Sequence, residues 1–226
     1  MSDYLEPAAA MRRVAIVSLH ADPSGAPGAE GGGGTHSYIR ELLVSLPERG
    51  WSCLVVTRWA DARLPERQEI SPNAQIVRVR IGDVAPIDKR FLNGMHEESL
   101  ARVREAIASS PPAPNLLHSV YWNSGRVAAD LARELGIRFV HTVISNGARR
   151  QAAGASENAQ QRIATESRVF AEAFRILCVA NEEADDLVSF YGVDAEKIIV
   201  VGRPVSIAFL RPPHDEQGRP ALLPPW

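Results

Sequence analysis

Short apolar runs of strand length recur along the chain at residues 14–19, 52–57, 116–120, 137–143, 175–180 and 198–201. They are continuous rather than alternating. Such runs suit strands buried on both faces of a parallel sheet, where helices cover each side. The segments between them carry apolar residues at helical spacing. Ile39, Leu42, Leu43 and Leu46 form one stripe, and Val127, Leu131 and Leu135 another. Gly50, Gly136 and Gly192 stand where glycine ends a helix. Residues 95–108, 157–173 and 181–191 read as further helices, and Asn123 or Ser124 as the cap of the helix over 125–135. Residues 75–80 alternate as a strand nearer the sheet edge, 59–73 read as polar connection, and 82–94 and 146–151 as loops. Strands alternating with helices imply right-handed βαβ units and an α/β fold. The expected sheet is open, mostly parallel and Rossmann-like, with helices on both faces. Residues 13–204 form that domain, after a disordered leader at 1–12 and before a proline-rich tail or linker at 205–226.

The most unusual stretch follows the first run: Ala29-Glu30-Gly31-Gly32-Gly33-Gly34-Thr35-His36. A strand, a glycine loop and a helix start together make a cradle for a phosphate. Backbone N–H groups at a helix N-terminus carry partial positive charge, and glycines let that backbone approach a ligand closely. Thr35 or Ser37 can cap the helix. The spacing is not that of a dinucleotide fingerprint, because Ser37 stands where a third glycine belongs. No Gly-Lys-Ser/Thr occurs, which excludes a P-loop. The plain alternative is a surface loop.

Composition narrows the function classes. The chain of 226 residues is 45% hydrophobic, enough for a core, and its net charge of -2 argues against a nucleic-acid surface built on bulk positive charge. Cys53 and Cys178 lie in apolar runs and read as buried reduced thiols. No run is long enough for a transmembrane segment, and no signal peptide is evident, so a cytoplasmic protein is the default expectation. No spacing of His, Cys, Asp or Glu suggests a metal cage, and no G-x-S-x-G elbow suggests a hydrolase.

In open α/β sheets ligands bind beyond the carboxyl ends of the strands. That rule nominates His20, Asp22, Arg58, residues 118–123, residues 141–150 and the glycine loop. Each has a plain alternative. His118 and His141 can be core histidines satisfied by a backbone carbonyl. Tyr121 and Trp122 can be anchors under a helix. Arg149 and Arg150 suit a phosphate or carboxylate, or are simply solvated.

The ordered segments resemble the N-terminal domain of the retaining glycosyltransferases grouped with sucrose-phosphate synthase, glycosyltransferase family 4 with the GT-B fold. The resemblance rests on Gly33-Gly34-Thr35-His36-Ser37-Tyr38 leading into Leu42, on His118-Ser119-Val120-Tyr121-Trp122-Asn123-Ser124-Gly125, and on Phe139-Val140-His141-Thr142-Val143-Ile144-Ser145-Asn146-Gly147. It continues through Arg162-Ile163-Ala164-Thr165-Glu166, residues 191–201, and Phe209 to Pro212. It covers roughly residues 12–212 and implies a hexosyltransferase-type enzyme, the acceptor-binding half of one. The sugar would pass from a nucleotide-diphosphate sugar to an acceptor hydroxyl with retention. Gly32, Gly33, Gly34 and Thr35 would close over the donor diphosphate. His118, Tyr121, Trp122, Asn123, Arg149 and Arg150 would face the acceptor, and His141 would be catalytic. No metal and no cofactor is implied beyond the sugar nucleotide as substrate. A C-terminal donor-binding domain, in the same or a separate chain, would be the partner, and without it the half is expected to be inactive. The chain departs from the family pattern at Ile144, where a histidine is usual, and at Asn123, where an aspartate is usual. These departures suit the alternative, a non-catalytic binding or interaction protein on the same fold. A nicotinamide oxidoreductase fits less well, since the glycine spacing fails and Arg58 stands where an acidic residue belongs.

Overall fold

The computed structural model describes residues 12–24, 34–154 and 159–202. Gly32 and Gly33, residues 1–11 of the expected leader and the tail at 205–226 lie outside the described residues. Strands β1 (Arg12–Val17), β2 (Trp51–Arg58), β3 (Arg67–Ser71), β4 (Ala74–Val79), β5 (Leu116–Val120), β6 (Arg138–Thr142), β7 (Arg175–Cys178) and β8 (Ile198–Val200) join in one sheet. Its order is β3-β4-β2-β1-β5-β6-β7-β8. All neighbours pair in parallel except β3, which runs antiparallel to β4. The apolar runs therefore became central parallel strands, as continuous hydrophobicity requires.

The helices are α1 (Gly34–Ser45), α2 (His96–Ala108), α3 (Trp122–Leu135), α4 (Gly147–Ala152), α5 (Ala159–Glu172) and α6 (Asn181–Tyr191). One face of the sheet packs against α2, α3, α5 and α6, through Val103, Leu131, Phe170 and Leu187 among others. The other packs against α1, with Tyr38, Ile39 and Leu43 on Val14, Ile16, Val55 and Ile76. The coverage is uneven. On the α1 side an apolar groove of about 360 Å³ runs past Leu42, Leu46, Leu116, Leu177 and Val201.

Several boundaries differ from expectation. Arg12 already belongs to β1, because it pairs with Trp51. Residues 59–73 are not simply a polar connection: β3 lies there, and its lack of an apolar run reflects its place at the sheet edge. Thr35 and Ser37 do not cap α1, since the helix starts at Gly34 and both lie inside it. Asn123 and Ser124 do not cap α3, which begins at Trp122. The expected loop at 146–151 folds into α4, capped by Asn146 accepting from Arg149 N–H. A six-residue helix is too short to show a hydrophobic period. The expected loop at 82–94 runs into a 3-10 helix, Lys89–Met95, capped by Asp88. Both cysteines are buried and free.

Candidate functional site

The strand order reverses at β1, whose neighbours are β2 and β5. A crevice opens beyond the carboxyl ends of strands at such a switch point. Here it lies between the segment after β1, which carries His20, and the segment after β5, which carries Tyr121 and Trp122. The rings of His20 and Tyr121 meet with centroids 4.5 Å apart. Leu19 N–H donates to Ser124 Oγ at 3.0 Å, which ties β1 to the first turn of α3.

Tyr121 has φ 74° and ψ 153°. That region is almost confined to glycine, and a side chain held there costs of order 1–3 kcal/mol. The conformation turns the chain sharply from β5 into α3 and leaves the Tyr121 ring at the crevice. Two cations face the ring. Lys89 Nζ lies 5.2 Å from its centroid, and the Arg162 guanidinium carbon also lies 5.2 Å away. Arg162 also sits 5.9 Å from the Trp122 ring centroid. Aromatic faces hold such cations without neutralising them. Sequence reasoning passed over Lys89, and it quoted Arg162 only as part of a motif. A signal was present in Arg162 and Glu166, an ion pair one helical turn apart.

Burial pushes the His20 imidazole down to about 3, with the Lys89 charge as a second cause, so the ring is neutral at pH 7. Its Nδ1 is buried and has no hydrogen-bond partner among the described residues. Asn123 is buried too, and both of its amide atoms lack a partner among the described residues. An unmet buried polar group costs stability, and here an imidazole and an amide of this kind follow β1 and β5.

The strand histidines lie deeper. His118 Nε2 shares a hydrogen bond with Thr142 Oγ1 at 2.7 Å, and Tyr38 Oη meets the same hydroxyl at 2.9 Å. His141 is 1% exposed, on the opposite face of the sheet. Its Nδ1 meets Ser119 Oγ at 2.9 Å, and its ring packs on Phe170. Both partners are hydroxyls rather than backbone carbonyls. Burial lowers His118 to about 4 and His141 to about 3, leaving both neutral. His141 thus lies beneath the rim, and its hydrogen bond reaches Ser119 rather than the crevice.

Arg149 and Arg150 sit on α4. Arg149 is bound by Asp186 at 2.7 Å, and Arg150 is exposed. They edge a recess of about 300 Å³ with Ile144, Ser145 and Asn146. That recess adjoins the crevice through Ser145, which accepts from Arg162 Nη2. Arg58, also nominated for the rim, is buried, and its guanidinium is spent on the carbonyls of Ile81, Asp83 and Ala85. Gly34 and Thr35 form the first turn of α1. At the start of the glycine segment, His36 Nδ1 bonds the Asp22 carbonyl at 2.7 Å and Arg40 donates to the Pro23 carbonyl.

The glycosyl transferase 4-like domain matches residues 33–204. The chain belongs to this glycosyltransferase family. It is 31% identical over 217 residues to the D-inositol 3-phosphate glycosyltransferase of Actinosynnema mirum, covering 94% of this chain and 52% of that protein. To the enzyme of the same name from Gordonia bronchialis it is 31% identical over 215 residues, covering 93% of this chain and 47% of that protein. The chain therefore spans about half the length of these curated relatives. Among solved structures, sucrose-phosphate synthase from Thermosynechococcus elongatus superposes with a TM-score of 0.75 at 25% identity, over 84% of this chain and 48% of that one. Starch synthase IV from Arabidopsis thaliana shares the fold, with a TM-score of 0.58 at 13% identity, over 92% of this chain and 54% of that one. These matches establish the family 4, GT-B, Rossmann-like assignment, with the chain matching an N-terminal domain of that family. No helix among the described residues is long and apolar enough to cross a membrane.

Proposed function

We propose that this chain is the acceptor-binding half of a retaining glycosyltransferase whose acceptor is a phosphorylated polyol. The observation that carries the reading is the pair of cations, Lys89 and Arg162, each 5.2 Å from the Tyr121 ring at the switch point. Lys89, together with the Arg162 guanidinium that Glu166 holds in an ion pair, suits an anionic phosphate better than a neutral sugar. The names of the relatives, D-inositol 3-phosphate glycosyltransferases, point the same way. His20 and Asn123, with unmet polar atoms, supply hydrogen bonds for ring hydroxyls. Tyr121 and Trp122 form the crevice wall. His118 supports that wall through Thr142, and His141 supports the α3 side through Ser119.

The glycine run, with Gly34 and Thr35 at the start of α1, would meet the donor diphosphate, and Arg149 and Arg150 would border the same opening. In the reaction the bond from the anomeric carbon to the diphosphate oxygen breaks. A bond to the acceptor hydroxyl oxygen forms on the same face, and the hydroxyl proton passes to the departing diphosphate. Fixed N–H groups and cations stabilise the charge that develops there. The donor half must close on this site to exclude water, so the chain alone should bind acceptor and turn over nothing.

Two measurements test this. Titration of the chain with D-myo-inositol 3-phosphate should show binding that Lys89→Ala and Arg162→Ala each weaken by about tenfold, while myo-inositol binds far more weakly. Joining the chain to the C-terminal half of the Actinosynnema mirum relative should yield transfer from a nucleotide-diphosphate sugar. Equal binding of inositol and its phosphate, or an inactive fusion beside an active parent enzyme, would overturn the proposal.

A further inference from the structure

Arg162 is held on two of its three edges. Nε donates to Glu166 Oε1 at 2.7 Å, and Nη2 donates to the Ser145 carbonyl at 2.6 Å and its hydroxyl at 3.1 Å. The remaining edge, Nη1, has the Tyr121 hydroxyl at 3.5 Å, a distance too long for a strong bond. The edge facing the crevice ring is thus the one left with donor capacity.

What fixes the Nε edge is a carboxylate that touches three helices. Glu166 is 1% exposed. Beyond Arg162 on its own helix α5, its Oε2 accepts from Gly147 N–H of α4 at 2.8 Å and from the Tyr191 hydroxyl of α6. The Tyr191 oxygen in turn accepts from Ala148 N–H at 3.0 Å. Burial, and then the Glu166 charge, push the Tyr191 phenol up, so it stays protonated and donates. Gly147 is needed for the approach: a Cβ there would lie 2.9 Å from Glu166 Oε2 and 3.2 Å from the Arg162 stem. Three donors from three helices thus meet this carboxylate, and those on Oε2 hold it where Oε1 receives Arg162 Nε.

We infer that Glu166 and Tyr191 are positioning residues for Arg162, setting the orientation in which its free edge meets an anionic acceptor. The inference rests on the reading of Arg162 as an acceptor ligand. Neither residue is placed in contact with the ligand; both act through the guanidinium. A helix-packing role alone would require the contacts but not a consequence for anion selectivity.

Tyr191→Phe is the decisive variant, because it keeps the ring edge-on to Phe170 and leaves the Glu166 charge in place. It removes one hydrogen bond to the carboxylate, worth about 1 kcal/mol, or roughly fivefold in an equilibrium constant. In the full chain, affinity for D-myo-inositol 3-phosphate should fall by about three- to tenfold with binding of myo-inositol unchanged. Hydrogen exchange at Arg162 Nε–H, followed by NMR, should quicken by a similar factor. Glu166→Asp keeps the charge and loses the reach, and should lower both more. If both variants only lower the melting temperature, leaving phosphate selectivity and Arg162 exchange as in the wild type, the positioning role is wrong. Should Arg162→Ala itself leave phosphate affinity unchanged, the acceptor reading fails instead. The exchange measurement then still decides whether Glu166 and Tyr191 fix the guanidinium.

Discussion

Gly125 lies where α3 crosses the His141 ring. A Cβ at this position would stand 2.8 Å from Val169 Cγ1 and 2.9 Å from His141 Cε1. Neither neighbour has room to retreat, since Val169 and His141 are both 1% exposed. Gly125→Ala should therefore destabilise the chain by about 1–3 kcal/mol through overpacking, read as a lower urea midpoint at unchanged m. The histidines give a second prediction. His118 and His141 are held neutral, near 4 and 3, while in the unfolded chain they titrate at the ordinary 6.5. Above pH 6.5 neither state is charged and these groups leave stability unchanged. As the pH falls from 6.5 toward the folded values, the unfolded chain takes up protons that the fold refuses, and stability drops. Between pH 7 and 5 each histidine should account for about 2 kcal/mol of loss, and His141→Gln should flatten the slope. Urea titrations at the two pH values measure this, and a slope unaffected by the substitution would contradict it. The apolar runs around both histidines offered the core as one reading of them, beside a place on the rim. Their hydroxyl partners, Thr142 and Ser119, come from neighbouring strands, and that pairing is set only by the register between β5 and β6.

At the scale of elements, the β3–β4 hairpin shows what local pattern omits. Arg78 on β4 is fully buried, although the alternation of residues 75–80 marks it as an outward position of an edge strand. Its Nε meets Asp22 Oδ2 at 2.5 Å, and its other donors reach the Ser24 hydroxyl, Gln68 of β3 and the Pro65 carbonyl. One arginine thereby fastens the edge hairpin to the segment between β1 and the glycine run. Asp22→Asn leaves a buried guanidinium without its counter-charge. A loss of about 2–4 kcal/mol is expected, somewhat below a fully buried pair because Asp22 keeps partial exposure. Thermal unfolding of the variant checks this, and a change under 0.5 kcal/mol, roughly the level of a surface substitution, would show that the link is idle. The central strands and long helices were legible because each carries its own periodicity. β3 and α4 were not, because an edge strand and a six-residue helix are defined by what they touch.

For the whole molecule, the uneven coverage of the sheet has a measurable consequence. Apolar side chains from α1, β5 and β7 line a groove, and Ile199 and Val201 remain 43% and 49% exposed. The isolated chain should bind a hydrophobic dye at this face, and Leu177→Glu should reduce the signal while the circular dichroism spectrum stays native. Dye binding unchanged by that substitution would place the apolar surface elsewhere. Taken alone, the sequence determined the parallel sheet, the family likeness and the rim from which a site must be drawn. Those follow from short-range periodicity and from motifs read in order. Which side chains of that rim act together was decided by tertiary structure. Lys89, Tyr121 and Arg162 are far apart in the chain, and the strained turn at Tyr121 brings its ring within 5.2 Å of both cations. Likewise, Arg58 and His141 satisfied the rule for rim residues, yet burial turned one to carbonyls and the other to Ser119. A hydrogen-bond donor is available to a ligand only where the fold has left it unspent, and that depends on contacts between distant segments.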